Sequence, residues 1–121
     1  MPVKKVFIVE DDDDIRLLID YILKNDLYEV HLFANATVLQ THLSELPNLI
    51  VLDINLPDGN GMEICKQLKT NKRTSHIPVI LMSAHQSKRD IADYQLADDF
   101  ISKPFNIDHF KAAVDRYLLA S

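Results

Sequence analysis

The sequence predicts an α/β fold, a doubly wound parallel sheet of five strands in the order 2-1-3-4-5 with helices on both faces. Three observations predict it. Short apolar runs recur at Val6-Phe7-Ile8-Val9, Val30 to Phe33, Leu49 to Leu52, Val79 to Met82 and Phe100-Ile101. These runs are continuous rather than alternating, which marks strands covered on both faces. Segments with helical spacing separate them, so strand and helix alternate five times.

Each unit has its own justification. After the first run, Ile15, Leu18, Ile19, Ile22 and Leu23 follow i, i+3, i+4, i+7, i+8, one face of a helix. Ala36, Leu39 and Leu43 make a weaker second helix. Ile64, Cys65 and Leu68 repeat the spacing after Gly61, and Phe110, Ala113, Val114, Tyr117 and Leu118 repeat it near the end. Gln86 to Leu96 is the poorest helical stretch: Gln86 to Asp90 offer no apolar contact, and only Ile91, Tyr94 and Leu96 can anchor it. Five units match the size of flavodoxin-like folds, whose ligands bind beyond the carboxyl ends of the strands, where the strand order reverses.

Composition narrows the function. The chain has 121 residues, enough for one domain spanning 1–121. Its 13 basic and 18 acidic residues give a net charge of -5, which disfavours direct binding to nucleic acid or anionic lipid. No apolar run approaches the length of a membrane span. The single cysteine, Cys65, excludes an internal disulfide, fits a reducing compartment, and sits on the apolar face of the third helix. Two glycines, Gly59 and Gly61, cannot build a Walker or GxGxxG phosphate loop.

The strand ends carry the chemistry. Strand 1 runs into Glu10-Asp11, strand 3 into Asp53, strand 4 into Ser83 and strand 5 into Lys103-Pro104, whereas outer strand 2 ends without charge. Three carboxylates at one edge repel, by roughly 4 kcal/mol per pair at 4 Å and an effective dielectric near 20. A hard divalent cation relieves that, and an oxygen-only ligand set with open water positions suits Mg²⁺. Ser83 adds a hydroxyl and Lys103 a positive charge, the groups a phosphoryl needs around its oxygens. Asp13 and Asp14 are read instead as acids favoured at a helix N-terminus. The five histidines show no metal-ligand spacing.

The chain resembles the receiver domain of two-component response regulators over essentially its whole length. The resemblance rests on Val6 to Asp12, Leu52-Asp53-Ile54-Asn55-Leu56-Pro57-Asp58-Gly59-Asn60-Gly61, Met82-Ser83-Ala84, and Asp98-Asp99-Phe100-Ile101-Ser102-Lys103-Pro104-Phe105. It implies that Asp53 is the phosphoacceptor. Mg²⁺ or Mn²⁺ would be held by Glu10, Asp11, Asp53 and the main-chain carbonyl of Asn55. Ser83, the main-chain amide of Ala84, Lys103 and Asn55 would border the phosphoryl group, as would His85, and Ser83 and Phe100 would be the switch pair. It further implies a sensor histidine kinase or phosphotransfer protein as phosphodonor, an unspecified downstream protein target, and a cytoplasmic location. No enzyme activity is expected beyond the domain's own phosphorylation and slow autodephosphorylation.

The resemblance also implies a cis Lys103–Pro104 peptide. Two local departures are expected: the stretch from Ser83 to Lys103 is about two residues short for the family, and Leu96 replaces its usual glycine. Other readings fare worse. A haloacid dehalogenase-type phosphatase needs a second aspartate where Asn55 stands, and a flavin carrier needs a phosphate loop where five acids stand. A receiver-like binding module that works without phosphorylation is the remaining alternative. Only Ala120-Ser121 follow the last helix, so the expectation is a free-standing receiver or one cut from a longer protein.

Overall fold

The computed structural model describes residues 3–25, 27–84 and 94–119. Its elements are β1 (Lys4–Val9), α1 (Asp13–Leu23), β2 (Tyr28–Phe33), α2 (Ala36–His42) running into a 3-10 turn at Leu43–Glu45, β3 (Leu49–Asp53), β4 (Asn55–Leu56), β5 (Gly59–Asn60), α3 (Gly61–Thr70), β6 (Val79–Ser83), β7 (Asp99–Ser102) and α4 (Ile107–Leu118). The main sheet is ordered β2-β1-β3-β6-β7, and every pairing in it is parallel. This is the expected 2-1-3-4-5 order, with β4 and β5 forming a separate hairpin. His85 and the weak helix expected over 86–96 lie outside the described residues, apart from positions 94–96.

Period-two alternation builds two cores from one sheet. On β1, Val6 and Ile8 face the layer of α1 and α4, packing with Ile19, Leu23, Phe110 and Val114. Phe7 and Val9 face the layer of α2 and α3, packing with Leu39, Ile64, Cys65 and Leu68. β3 and β6 are buried at every position, which is why their runs are apolar throughout. Each such side chain contributes roughly 1.5–3 kcal/mol on burial. Tyr94, Ala97 and Phe100 are half-buried against the second core.

The helix starts share one device. Asp12, Asn35, Asn60 and Asn106 cap α1, α2, α3 and α4, each with a side-chain oxygen on amides of the first turn. Two expectations need correction. Leu18 is on the margin of the buried face, 38% exposed beside the exposed Leu17 and Tyr21. Leu43 falls in the 3-10 turn instead of α2, which ends at His42. Among the described residues, no helix is long and apolar enough to cross a membrane.

Candidate functional site

Sheet register assembles the site. Val9, the last residue of β1, pairs with Leu52, so Glu10 and Asp53 leave neighbouring strands at one level. Asp53 pairs with Met82 and Ser83 with Ser102, which carries the same level across to Lys103. Main-chain bonds extend the alignment past the ladders: the Glu10 amide donates to the Phe33 carbonyl, Ile54 to Met82, and Lys103 to Ser83, each at 2.9 Å. The Lys103–Pro104 peptide is cis, as expected.

Three of these side chains are buried in spite of their polarity: Glu10 is 1% exposed, Asp53 4% and Ser83 3%. Lys103 explains how two carboxylates tolerate that. Its ammonium donates to Glu10 Oε1 and, at 2.9 Å, to Asp53 Oδ2. The other carboxylate oxygens accept main-chain amides, Glu10 Oε2 from Asp12 at 3.1 Å and Asp53 Oδ1 from Asn55 at 3.2 Å. Asp11, exposed at the mouth, completes the cluster: one oxygen each from Glu10, Asp11 and Asp53 lie within 4.8 Å of one another.

The electrostatics show strain in this arrangement. Burial pushes the Glu10 carboxyl above its usual range, and the charge of Asp53 adds to the rise. The bonds from Lys103 and the Asp12 amide offset only part of it. Burial works against the Lys103 charge too, yet its bonds to Glu10 and Asp53 outweigh burial and hold its pKa above the ordinary value. Three carboxylates against one ammonium leave a formal excess of two negative charges. An all-oxygen cluster with that excess fits a hard divalent cation.

Glu10, Asp11, Asp53 and Lys103, all singled out from the sequence, therefore meet. Ser83 ends β6 beside them, Ala84 is exposed at the following bend, and Asn55 is exposed with its amide on Asp53. Phe100 stands on β7 two positions before Ser102, paired with Leu81 and packed against the second core. Three contributors were not foreseen. The Arg16 guanidinium donates to the Glu10 carbonyl at 2.7 Å, pinning the turn that aims Glu10. The Asp12 amide holds Glu10 Oε2. Gly61 lets α3 start directly against the end of the strand that carries Asp53, since a Cβ there would lie 2.7 Å from Ile54 Cα. An arginine one helical turn after the acids was a readable signal for the first.

Residues 6–115 match the family model of the response regulator receiver domain. The chain belongs to that family. This receiver domain is 36% identical over 114 residues to the response regulator ArlR of Staphylococcus saprophyticus, covering 91% of this chain and 50% of ArlR. It spans about half the length of the curated response regulators it matches. Among solved structures it resembles the BeF3-activated receiver domain of DrrB, with a TM-score of 0.86 and 29% identity over 98% of this chain and all of that one. DrrB is a Thermotoga maritima OmpR/PhoB homolog. The Mn²⁺-bound response regulator Rcp1 superposes with a TM-score of 0.81 at 25% identity, over 98% of this chain and 96% of that one. Receiver domains work with histidine kinases or phosphotransfer partners.

Proposed function

We propose that this receiver domain, a single unit over 1–121, takes a phosphoryl group onto Asp53 from a phosphohistidine of a sensor kinase or phosphotransfer protein. The observation that carries the proposal is the Lys103 ammonium bridging Glu10 and Asp53, with Asp11 in the same oxygen cluster. Glu10, Asp11, Asp53 and the Asn55 carbonyl would hold Mg²⁺ or Mn²⁺. Bound there, the cation would offset the charge of Asp53 and of the incoming phosphoryl group. The Mn²⁺-bound form of Rcp1 and the BeF3-activated form of DrrB support this reading by likeness.

The transfer balances simply. An Asp53 carboxylate oxygen forms a bond to phosphorus, the phosphorus–nitrogen bond breaks, and the imidazole leaves with that electron pair and takes up a proton. Lys103 releases Asp53 and meets the phosphoryl oxygens, joined by the Ser83 hydroxyl and the Ala84 amide. Asn55 borders the group on the other side. Ser83 then draws Phe100 inward, changing the surface that a downstream protein reads. The domain modifies itself and turns over no separate substrate, and it works in the cytoplasm beside its kinase. A phosphorylation-independent binding module has no observation in its favour, because each group the transfer needs is present.

Incubation with Mg²⁺ and a small acyl-phosphate or phosphoramidate donor, read by intact mass, tests the proposal. The parent should gain one phosphoryl group, whereas Asp53→Asn, or the parent in chelator, should gain none. Undiminished uptake in either case overturns it.

A further inference from the structure

After Asp53 the chain leaves the sheet edge as a hairpin and returns. Asn55 pairs with Asn60 and Leu56 with Gly59, leaving Pro57-Asp58 as the tip. The base is fixed: the Gly61 amide donates to the Ile54 carbonyl at 2.8 Å, and Leu56 is buried in the second core. Two residues per strand cannot hold such a hairpin by themselves, and Asn55, Asp58, Gly59 and Asn60 are exposed.

The tip is tied to a different element. The Asp58 carboxylate accepts three hydrogen bonds from the start of α2: the Ala36 amide at 2.8 Å, the Thr37 amide at 2.9 Å and the Thr37 hydroxyl at 2.5 Å. The two amides are donors that a helix leaves without internal partners, and a charged acceptor makes the stronger kind of bond to them. These donors hold the Asp58 carboxyl below its ordinary range. The cap residue Asn35 takes a separate amide, that of Val38, at 2.9 Å. One short helix thus has two side-chain caps, and one of them comes from the hairpin that carries Asn55.

We infer that Asp58 is a positioning residue for the cation site: by clamping the hairpin tip to α2 it fixes the Asn55 main chain beside Asp53. The inference rests on the proposed reading, in which the Asn55 carbonyl is a cation ligand. Cap and clamp are separable, because the Asn35 side chain caps the same helix through the Val38 amide, whereas Asp58 reaches it from the hairpin.

Calorimetric titration of the full chain with Mg²⁺, alongside thermal melts, decides between them. Asp58→Ala should weaken Mg²⁺ binding by about tenfold, the lower end of what loss of an outer-shell support costs. Asp58→Asn, which keeps one acceptor oxygen, should fall between that variant and the parent and carries the test if Asp58→Ala fails to fold. Asn35→Ala should lower the melting temperature and leave Mg²⁺ affinity at the parent value. Parental affinity in both Asp58 variants, or an equal loss in Asn35→Ala, overturns the inference while leaving the phosphoacceptor reading intact. A parent that binds no Mg²⁺ overturns both.

Discussion

Among the described residues, two lysines are nearly buried, and both reach carboxylates. Lys69, on α3, has a side chain 14% exposed and donates to Asp98 Oδ2 at 2.7 Å and to the Ile77 carbonyl at 2.8 Å. Asp98 is answered in turn by the Val79 amide at 2.8 Å, and its own amide donates to the Val79 carbonyl. One charge meets one charge, and the remaining bonds go to main chain, tying α3 to the starts of β6 and β7. Lys103, 12% exposed, faces two buried carboxylates with a third at hand. The same ammonium chemistry gives a closed latch in one place and an electrostatically incomplete site in the other. Charge balance, more than burial, separates a structural pair from a binding site.

The comparison breaks most sharply at Lys103. Lys103→Met leaves Glu10 and Asp53 buried side by side, and loss of one partner of a buried pair costs about 3–5 kcal/mol. Mg²⁺ should restore much of that loss, so the melting temperature of this variant should rise more with Mg²⁺ than the parent's does. Its Mg²⁺ affinity should rise by about tenfold, from the Coulomb energy of a monovalent against a divalent charge a few ångströms away, screened as in water. Affinity equal to or weaker than the parent's would show that Lys103 is not the counter-ion of the acidic cluster.

Lys69→Met should sharpen the contrast with a smaller effect. It should cost about 1–2 kcal/mol in chemical denaturation, the scale of charged hydrogen bonds at a part-exposed site. Mg²⁺ affinity should not change, and a shift would mean that the latch and the site are coupled.

The smallest effect is a pH profile. Burial holds the Glu10 carboxyl above its ordinary value of 4.5, so the folded state keeps this proton to higher pH than the unfolded chain. Its stabilising contribution is complete below the ordinary value and disappears as pH rises through the raised one. In chelator, Glu10→Gln should therefore lose less stability than the parent between acid and neutral pH. Asp58 has the opposite sign: its contribution is present above 3.8 and is lost as pH falls below it. Melts from pH 3 to pH 8 separate the two limbs, and identical profiles for parent and Glu10→Gln would contradict the assignment.

Much of this site was legible because its residues stand where apolar runs stop. Val9, Leu52 and Met82 end three continuous runs, and the polar residue after each, Glu10, Asp53 and Ser83, stands at the candidate site. The strand order followed from matching the five strand–helix units to the flavodoxin-like fold, and the sheet has that order. What escaped reading was short or distant. β4 and β5 have two residues each, too few for any periodicity, although Pro57-Asp58-Gly59 is a turn signal that could have marked the hairpin. The Asx caps were visible in principle as Asp12, Asn35, Asn60 and Asn106 standing just ahead of helical spacing. The bond from the Tyr28 hydroxyl to Asp115 and the Lys69–Asp98 pair join residues far apart in sequence and left no local trace. Leu18 was misplaced because helical spacing alone does not tell the edge of an apolar stripe from its centre.

The central claim is that Asp53 becomes an acyl phosphate, and borohydride trapping tests it at residue level. After reaction with a small phosphodonor and Mg²⁺, reduction converts a phosphorylated aspartate to homoserine, which peptide mass mapping locates. The account predicts homoserine at position 53, absent when chelator replaces Mg²⁺. Homoserine at Asp11, Asp12 or Asp58 instead, or at 53 regardless of the cation, would contradict it.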